Sequence, residues 1–188
     1  MILKELEACV CDVNRKMKIP DPSVRALWAY LYLPFLFEGS RILLNDDHQE
    51  WLYEAVSDAS DSSEVGDSDI VPKLLYECTG GSKYGKAFHK ACDAKGPTVT
   101  IVRCTNGYIF GGYNPGSWTS YGGHKRAENA FLFSLVNPVG APPMKYKVKN
   151  PDRAVYNHPD SGPCFGLGDL VCWNDYHCVS FIRFPRCI

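Results

Sequence analysis

The chain has 188 residues, a hydrophobic fraction of 45% and a formal net charge of -1. That length suits one globular domain with an extension, and the near-zero charge argues against a general nucleic-acid binder, which needs a basic face to neutralise phosphates. No transmembrane segment is expected: the longest apolar run, residues 26–37, is shorter than the about 20 residues of a spanning helix and contains Pro34.

Residues 1–56 read as a helical N-terminal region. Leu3, Leu6, Val10, Val13 and Met17 recur at spacings of three and four, which predicts an amphipathic helix over residues 1–18. Pro20-Asp21-Pro22 ends it, because proline disfavours the helical region for the residue before it. Asp21 then caps a second helix over residues 22–33, with Pro22 at its first position. A third helix is predicted over residues 46–56, capped by Asn45 or Asp46, with Trp51, Leu52, Ala55 and Val56 as its buried face. Residues 57–70 carry Asp58, Asp61, Glu64, Asp67 and Asp69 without a basic residue. So acidic and serine-rich a segment buries too little surface to offset its ordering entropy and reads as a linker or loop.

Residues 71–188 read as β-rich. A strand is predicted over 73–78 and a helix over 83–92, with Tyr84, Phe88 and Cys92 on one face. Gly96-Pro97 sets the turn into a strand at 98–103. Asn106-Gly107 predicts a two-residue hairpin turn, since both residues tolerate positive φ, and 108–113 is the returning strand. Gly111 and Gly112 in that strand mark a bulge or a close backbone approach. The continuous apolar run 131–136 predicts a central strand, with Phe131, Phe133 and Leu135 on one side and Leu132 and Val136 on the other. Shorter strands are predicted at 146–149 and 154–156. A last hairpin is expected from 169–173 and 177–184 through Asn174-Asp175. These elements indicate an α+β fold: an antiparallel β-sandwich flanked by helices, with a helical N-terminal extension.

Five motifs in this order, K-L-L-Y, F-H-K-A-C-D-A-K-G-P-T, F-G-G-Y, N-A-F-L-F-S-L-V-N-P and F-G-L-G-D-L, resemble the TLDc domain family over about residues 71–173. The matching positions include Phe88, Cys92, Asp93, Gly96, Pro97, Gly111, Gly112, Trp118, Phe131, Gly166 and Gly168. The resemblance implies a β-sandwich flanked by helices and a non-enzymatic interaction module. It also implies a protein partner, with subunits of the vacuolar proton-pumping ATPase as the expected one, and a role in protection against oxidative stress. No catalytic residue, cofactor or metal is implied. The chain departs from the family pattern in two places. Thr79 to Gly85 lacks the Ser-Arg-Asp-Gly frequent in the family, and the chain reaches Ile188 soon after the last motif, as a shortened or divergent copy with an exposed sheet edge would.

Chemistry read from the residues gives a second expectation. There are nine cysteines and no Cys-x-x-Cys pair, which disfavours compact zinc and thioredoxin-like sites. Lys4, Glu5 and Glu7 interrupt any secretory signal, so reduced thiols in the cytoplasm are expected. Cys92 and Cys104 are the candidate redox thiols if one is exposed with a low pKa. The G-G-S-K-Y-G-K segment from Gly80 to Lys86 fits the glycine and lysine positions of a phosphate loop, but Ala87 stands where Ser or Thr should hold magnesium. His89 with Cys92, and His177 with Cys178, are Cys–His pairs better explained by packing. His158, Cys164, Cys172, His177 and Cys178 match no compact zinc spacing. The oligomeric state is open.

Overall fold

A computed structural model describes residues 6–18, 42, 45–60, 68–78 and 84–172, with the backbone alone for 6–18, 68–71 and 84. In chain order the described elements are β1 Leu6–Lys18, α1 Asp46–Ser57, β2 Ser68–Cys78, α2 Tyr84–Cys92, β3 Thr98–Cys104, β4 Ile109–Asn114, β5 Gly123–Lys125 and β6 Phe131–Val136. They continue with β7 Met144–Lys147, a 3-10 turn Pro151–Arg153, β8 Val155–Asn157, β9 Cys164–Phe165 and β10 Leu170–Val171.

The strands form two antiparallel sheets. One has six strands in the order β2-β1-β3-β4-β6-β7, the other four in the order β10-β9-β8-β5. The fold is therefore α+β, as the strand spacing indicated. Alternation along β3 divides the core in two. Val99 and Ile101 face α1, where they meet Leu52, Ala55 and Val56. Val102 and Cys104 face the four-stranded sheet and α2, where they meet Phe88, Trp118, Val155 and Phe165. Each fully buried side chain of this size contributes about 1.5–3 kcal/mol of transfer free energy.

Local signals explain α1. Asn45 caps it, its Oδ1 accepting from the His48 N–H at 2.9 Å, and Asp46 and Asp47 place negative charge against the positive end of the helix dipole. After α1, the Ser60 and Tyr113 hydroxyls lie 3.3 Å apart. Burial pushes the Tyr113 phenol above its usual pKa.

The structure corrects the N-terminal reading. Residues 6–18 do not form a helix: they are β1, paired antiparallel with β2 on one side and β3 on the other. Spacings of three and four over a short segment fit both patterns loosely, and two neighbouring strands satisfy its backbone in a way that an isolated sequence does not reveal. Pro72 sits in β2, at the outer edge of the sheet, opposite a register shift between Asp12 and Arg15. That is where a residue without an N–H is tolerated. The strand also takes in Ser68, Asp69 and Ile70, which the acidic composition had assigned to the linker. The helix predicted over 22–33 and the strand at 177–184 lie outside the described residues.

Two smaller corrections concern the hairpin and the central strand. Among the described non-glycine residues only Ala94 has positive φ, so Asn106 does not adopt a two-residue primed turn. Instead the Cys104 N–H donates to the Tyr108 carbonyl at 2.9 Å and the Gly107 N–H to the Cys104 carbonyl at 2.9 Å. Gly107 alone takes φ 86°, giving a three-residue loop with its glycine in the left-handed region. In β6 the register with β4 slips between Ile109 and Phe110, and Val136 packs on the α1 side rather than opposite Leu135. An extra residue in a strand reverses the facing of the residues beyond it.

Candidate functional site

The motif residues from Phe88 to Trp118 meet at the junction of α2 with the sandwich. Phe88 and Trp118 are fully buried, their ring centroids 5.5 Å apart at 74°. Phe165 meets the other side of Trp118 at 5.5 Å and 89°. Such edge-to-face pairs contribute about 0.5–1.5 kcal/mol beyond area burial. Trp118 Nε1 donates to Thr98 Oγ1 at 2.8 Å, which satisfies the one polar group of the indole. Asp93 bridges to Trp118 in parallel, and the Ala94 N–H donates to the Trp118 carbonyl at 3.2 Å. Ala94 has φ 57° and Gly96 φ 87°, so the chain leaves α2 through left-handed backbone before Pro97 sends it into β3.

A polar clamp surrounds this aromatic column. His89 Nδ1 lies 2.6 Å from Asp93 Oδ1, and His89 Nε2 lies 2.7 Å from the His158 carbonyl. Both ring nitrogens thus face oxygen atoms, which fixes the orientation of the ring. Ser120 Oγ donates to the second Asp93 oxygen at 2.5 Å. Serine, aspartate and histidine are together, but in the wrong order for nucleophilic catalysis. The hydroxyl meets the carboxylate rather than the imidazole, and the far ring nitrogen is taken by a carbonyl. The i,i+4 spacing of His89 and Asp93 across the end of α2 was visible in the sequence, and its partner loops were not.

The remaining motif glycines allow close approach. A Cβ on Gly111 would overlap the Thr100 carbonyl, and one on Gly112 would stand 2.7 Å from Cζ of Phe165. Gly166 and Gly168 have φ 66° and 106° and hold a turn beside Asp169. Phe131 lies in the other core layer, 5.2 Å from the Tyr113 ring.

The candidate redox thiols are buried. Burial, then the neighbouring Asp93 charge, pushes Cys92 up to about 12, and burial also raises Cys104. Neither thiol is a ready thiolate at neutral pH. Cys164 is likewise raised to about 12 by burial, with its Sγ donating to the Gly162 carbonyl at 3.3 Å. Most of the glycine-lysine segment at 80–86 lies outside the described residues; within it, Gly85 is pressed against the Asp160 backbone. Among the described residues no group of three or more His, Cys, Asp or Glu side chains converges as a metal site would; of the candidate ligands His158, Cys164 and Cys172 are described, and His177 and Cys178 lie outside the described residues.

Open surface lies elsewhere. A cleft of about 330 Å³ opens between the two sheets beside β7, lined by Leu132, Tyr146, Val148, Phe165 and Leu167, with Lys149 and Arg153 on its rim. A second cleft of about 240 Å³ lies on the other side of Leu167, against Tyr156, His124 and His158. The His124 and Tyr156 rings are 4.8 Å apart. Two of the five motifs, N-A-F-L-F-S-L-V-N-P and F-G-L-G-D-L, supply walls of these clefts, but the sequence did not show them meeting, because the walls come from segments far apart in the chain.

Comparison with known proteins decides the family. The family model of the TLDc domain matches residues 37–183. The chain belongs to the TLDc domain family. The match begins well before the five motifs and takes in α1. The MTOR-associated protein MEAK7 of Danio rerio is 38% identical over 55 residues, 28% of this chain and 12% of that protein. The similarity thus spans about an eighth of that relative's length. No solved structure matches the TLDc chain. Among the described residues no helix is long and apolar enough to cross a membrane.

Proposed function

We propose that this chain is a non-enzymatic TLDc interaction module that works in the cytoplasm by docking onto a protein partner, the vacuolar proton-pumping ATPase, in support of resistance to oxidative stress. The observation that carries the reading is the fate of the family motif: Phe88, Cys92, Asp93, Gly96 and Trp118 are consumed by packing and internal hydrogen bonds. What these five residues supply is a rigid frame, and open surface remains for recognition beside it. The name of the zebrafish relative associates it with mTOR, which agrees with a module that acts through association. The pump and the stress role rest on the family resemblance alone.

The test is affinity capture with the 188-residue chain from native lysate, followed by mass spectrometry. Enrichment of proton-pump subunits over a tag-only control is the expected outcome, and their absence removes the pump from the proposal. The alternative, redox or nucleotide chemistry through Cys92, Cys104 or the 80–86 segment, is disfavoured by the burial of both thiols.

A further inference from the structure

The cleft beside β7 combines three properties that the aromatic column lacks. The first is an edge. β7 is the last strand of the six-stranded sheet among the described residues, and edge backbone is a template for a further strand. The second is apolar lining at strand spacing. Tyr146 and Val148 line the cleft at alternate positions along the edge, and Met144, 45% exposed, continues the same alternation outside the lining. Leu167, 70% exposed between Gly166 and Gly168, forms the opposite lip. A volume of about 330 Å³ is at the small end for ligand pockets, and suits a few side chains better than a large cofactor.

The third is charge. Lys149 and Arg153 are exposed on the rim, and no described residue forms an ion pair with either, whereas Lys147 stands opposite Phe131 of β6 and so shares the α1 face of β7 with Lys145. Among the described residues Asp169 is the one carboxylate in the lining. Arg126 shows the contrasting arrangement, since Asp152 and Glu128 both neutralise it. A chain of formal net charge -1 thus gathers an unneutralised basic rim at one apolar cleft.

We propose that this cleft docks an acidic, extended polypeptide segment, which pairs with the β7 edge, sets alternate apolar side chains between the sheets and places carboxylates against Lys149 and Arg153. A polypeptide is favoured over an anionic membrane or a nucleic acid because the edge offers backbone pairing and the apolar lining has strand period. The proposal deepens the interaction-module reading and rests on it. It names a surface and a chemistry, whereas lysate capture asks which partner is bound.

The experiment uses the purified 188-residue chain and synthetic peptides that alternate Glu with Leu, read by fluorescence anisotropy. Binding should weaken at least about tenfold when Lys149→Glu and Arg153→Glu are combined, in line with opposite charges becoming like ones. It should also weaken about tenfold in Leu167→Asp. Peptides alternating Lys with Leu should bind the charge-reversed variant and not the parent chain. This exchange of preference separates recognition from misfolding. Amide exchange at residues 144–148 should slow when the acidic peptide is present. The proposal falls if no peptide binds, if acidic and basic peptides bind alike, or if exchange at 144–148 is unchanged. Preferential binding to phosphatidylserine vesicles, or self-association that Leu167→Asp abolishes, would also overturn it in favour of a membrane or a second copy. If pump capture survives while the peptides fail, this proposal fails alone.

Discussion

Lys145 donates from Nζ to the Ala55 carbonyl at 2.7 Å, and through that bond the edge strand β7 closes the last turn of α1. The last turn of α1 has no basic residue of its own, so a cation from far along the chain supplies the charge that a helix C-terminus favours. The same ammonium lies 4.4 Å from the centre of the Phe131 ring, within reach of its negative face.

Replacing that ammonium tests the tie. Lys145→Met should cost about 1 kcal/mol by removing the charge at the helix end, while the methionine keeps most of the packing. Urea unfolding at neutral pH measures it. An unchanged midpoint would show that α1 is held by Leu52, Ala55 and Val56 alone.

Alkaline pH should destabilise the fold through buried thiols. Burial raises Cys92 and Cys164 from 9.0 to about 12. The unfolded chain therefore releases these protons first, and stability present below pH 9.0 is lost as pH rises from 9.0 towards about 12. At about pH 10 each thiol should cost about 1 kcal/mol. Lys145 opposes this trend: burial lowers it from 10.5, so the unfolded state holds that proton longer and its contribution grows more favourable as pH approaches 10.5. Urea titrations across this range should show a falling midpoint, shallower in Cys164→Ala and steeper in Lys145→Met.

The same burial predicts inert chemistry. At about pH 8, alkylation of Cys92 in the folded chain should be about a thousandfold slower than in the urea-unfolded chain, in proportion to the thiolate fraction. Mass-spectrometric mapping of iodoacetamide adducts reads this directly. Fast labelling of Cys92 in the folded state would revive the redox reading.

Glycine positions in β4 should differ in tolerance. Gly111→Ala drives a Cβ into the Thr100 carbonyl, which is backbone and has no room to give, whereas Gly112→Ala meets the rim of Phe165, a side chain. Gly111→Ala should cost about 3 kcal/mol or more, and Gly112→Ala less. Thermal unfolding of the two variants gives the order, and equal losses would contradict it.

Trp118→Phe keeps an aromatic ring but removes the donor to Thr98, whose hydroxyl would then be buried without its partner. The expected cost is about 1–3 kcal/mol beyond the lost area. Trp118→Phe combined with Thr98→Val should recover part of it, because an apolar pair no longer leaves a polar atom stranded. Equilibrium unfolding of the double variant decides the point.

Much of the sandwich was legible because its strands carry local patterns. Val99, Ile101 and Val102 are β-branched, Phe131 to Val136 is largely apolar, and the α1 cap is written in Asn45-Asp46-Asp47. The hairpin was located correctly but its turn type was not, since Asn106 and Gly107 fit two geometries and the Cys104 pairing chooses between them. β1 was misread as a helix because its identity depends on β2 and β3, both of which lie far along the chain. The clefts were invisible for a related reason: Leu132, Val148, Phe165 and Leu167 meet only after both sheets have stacked.

The strand at residues 6–18 lies outside the span that matches the TLDc family, yet it is the spacer between β2 and β3. A fragment cut to residues 37–188 would keep the motifs and lose an interior strand of its six-stranded sheet, one in from the β2 edge. It would then hold a gap one strand wide, with an acceptor edge on each side. Such a fragment would recruit the missing strand from a neighbouring molecule, and its aggregation would report on the cut rather than on the domain.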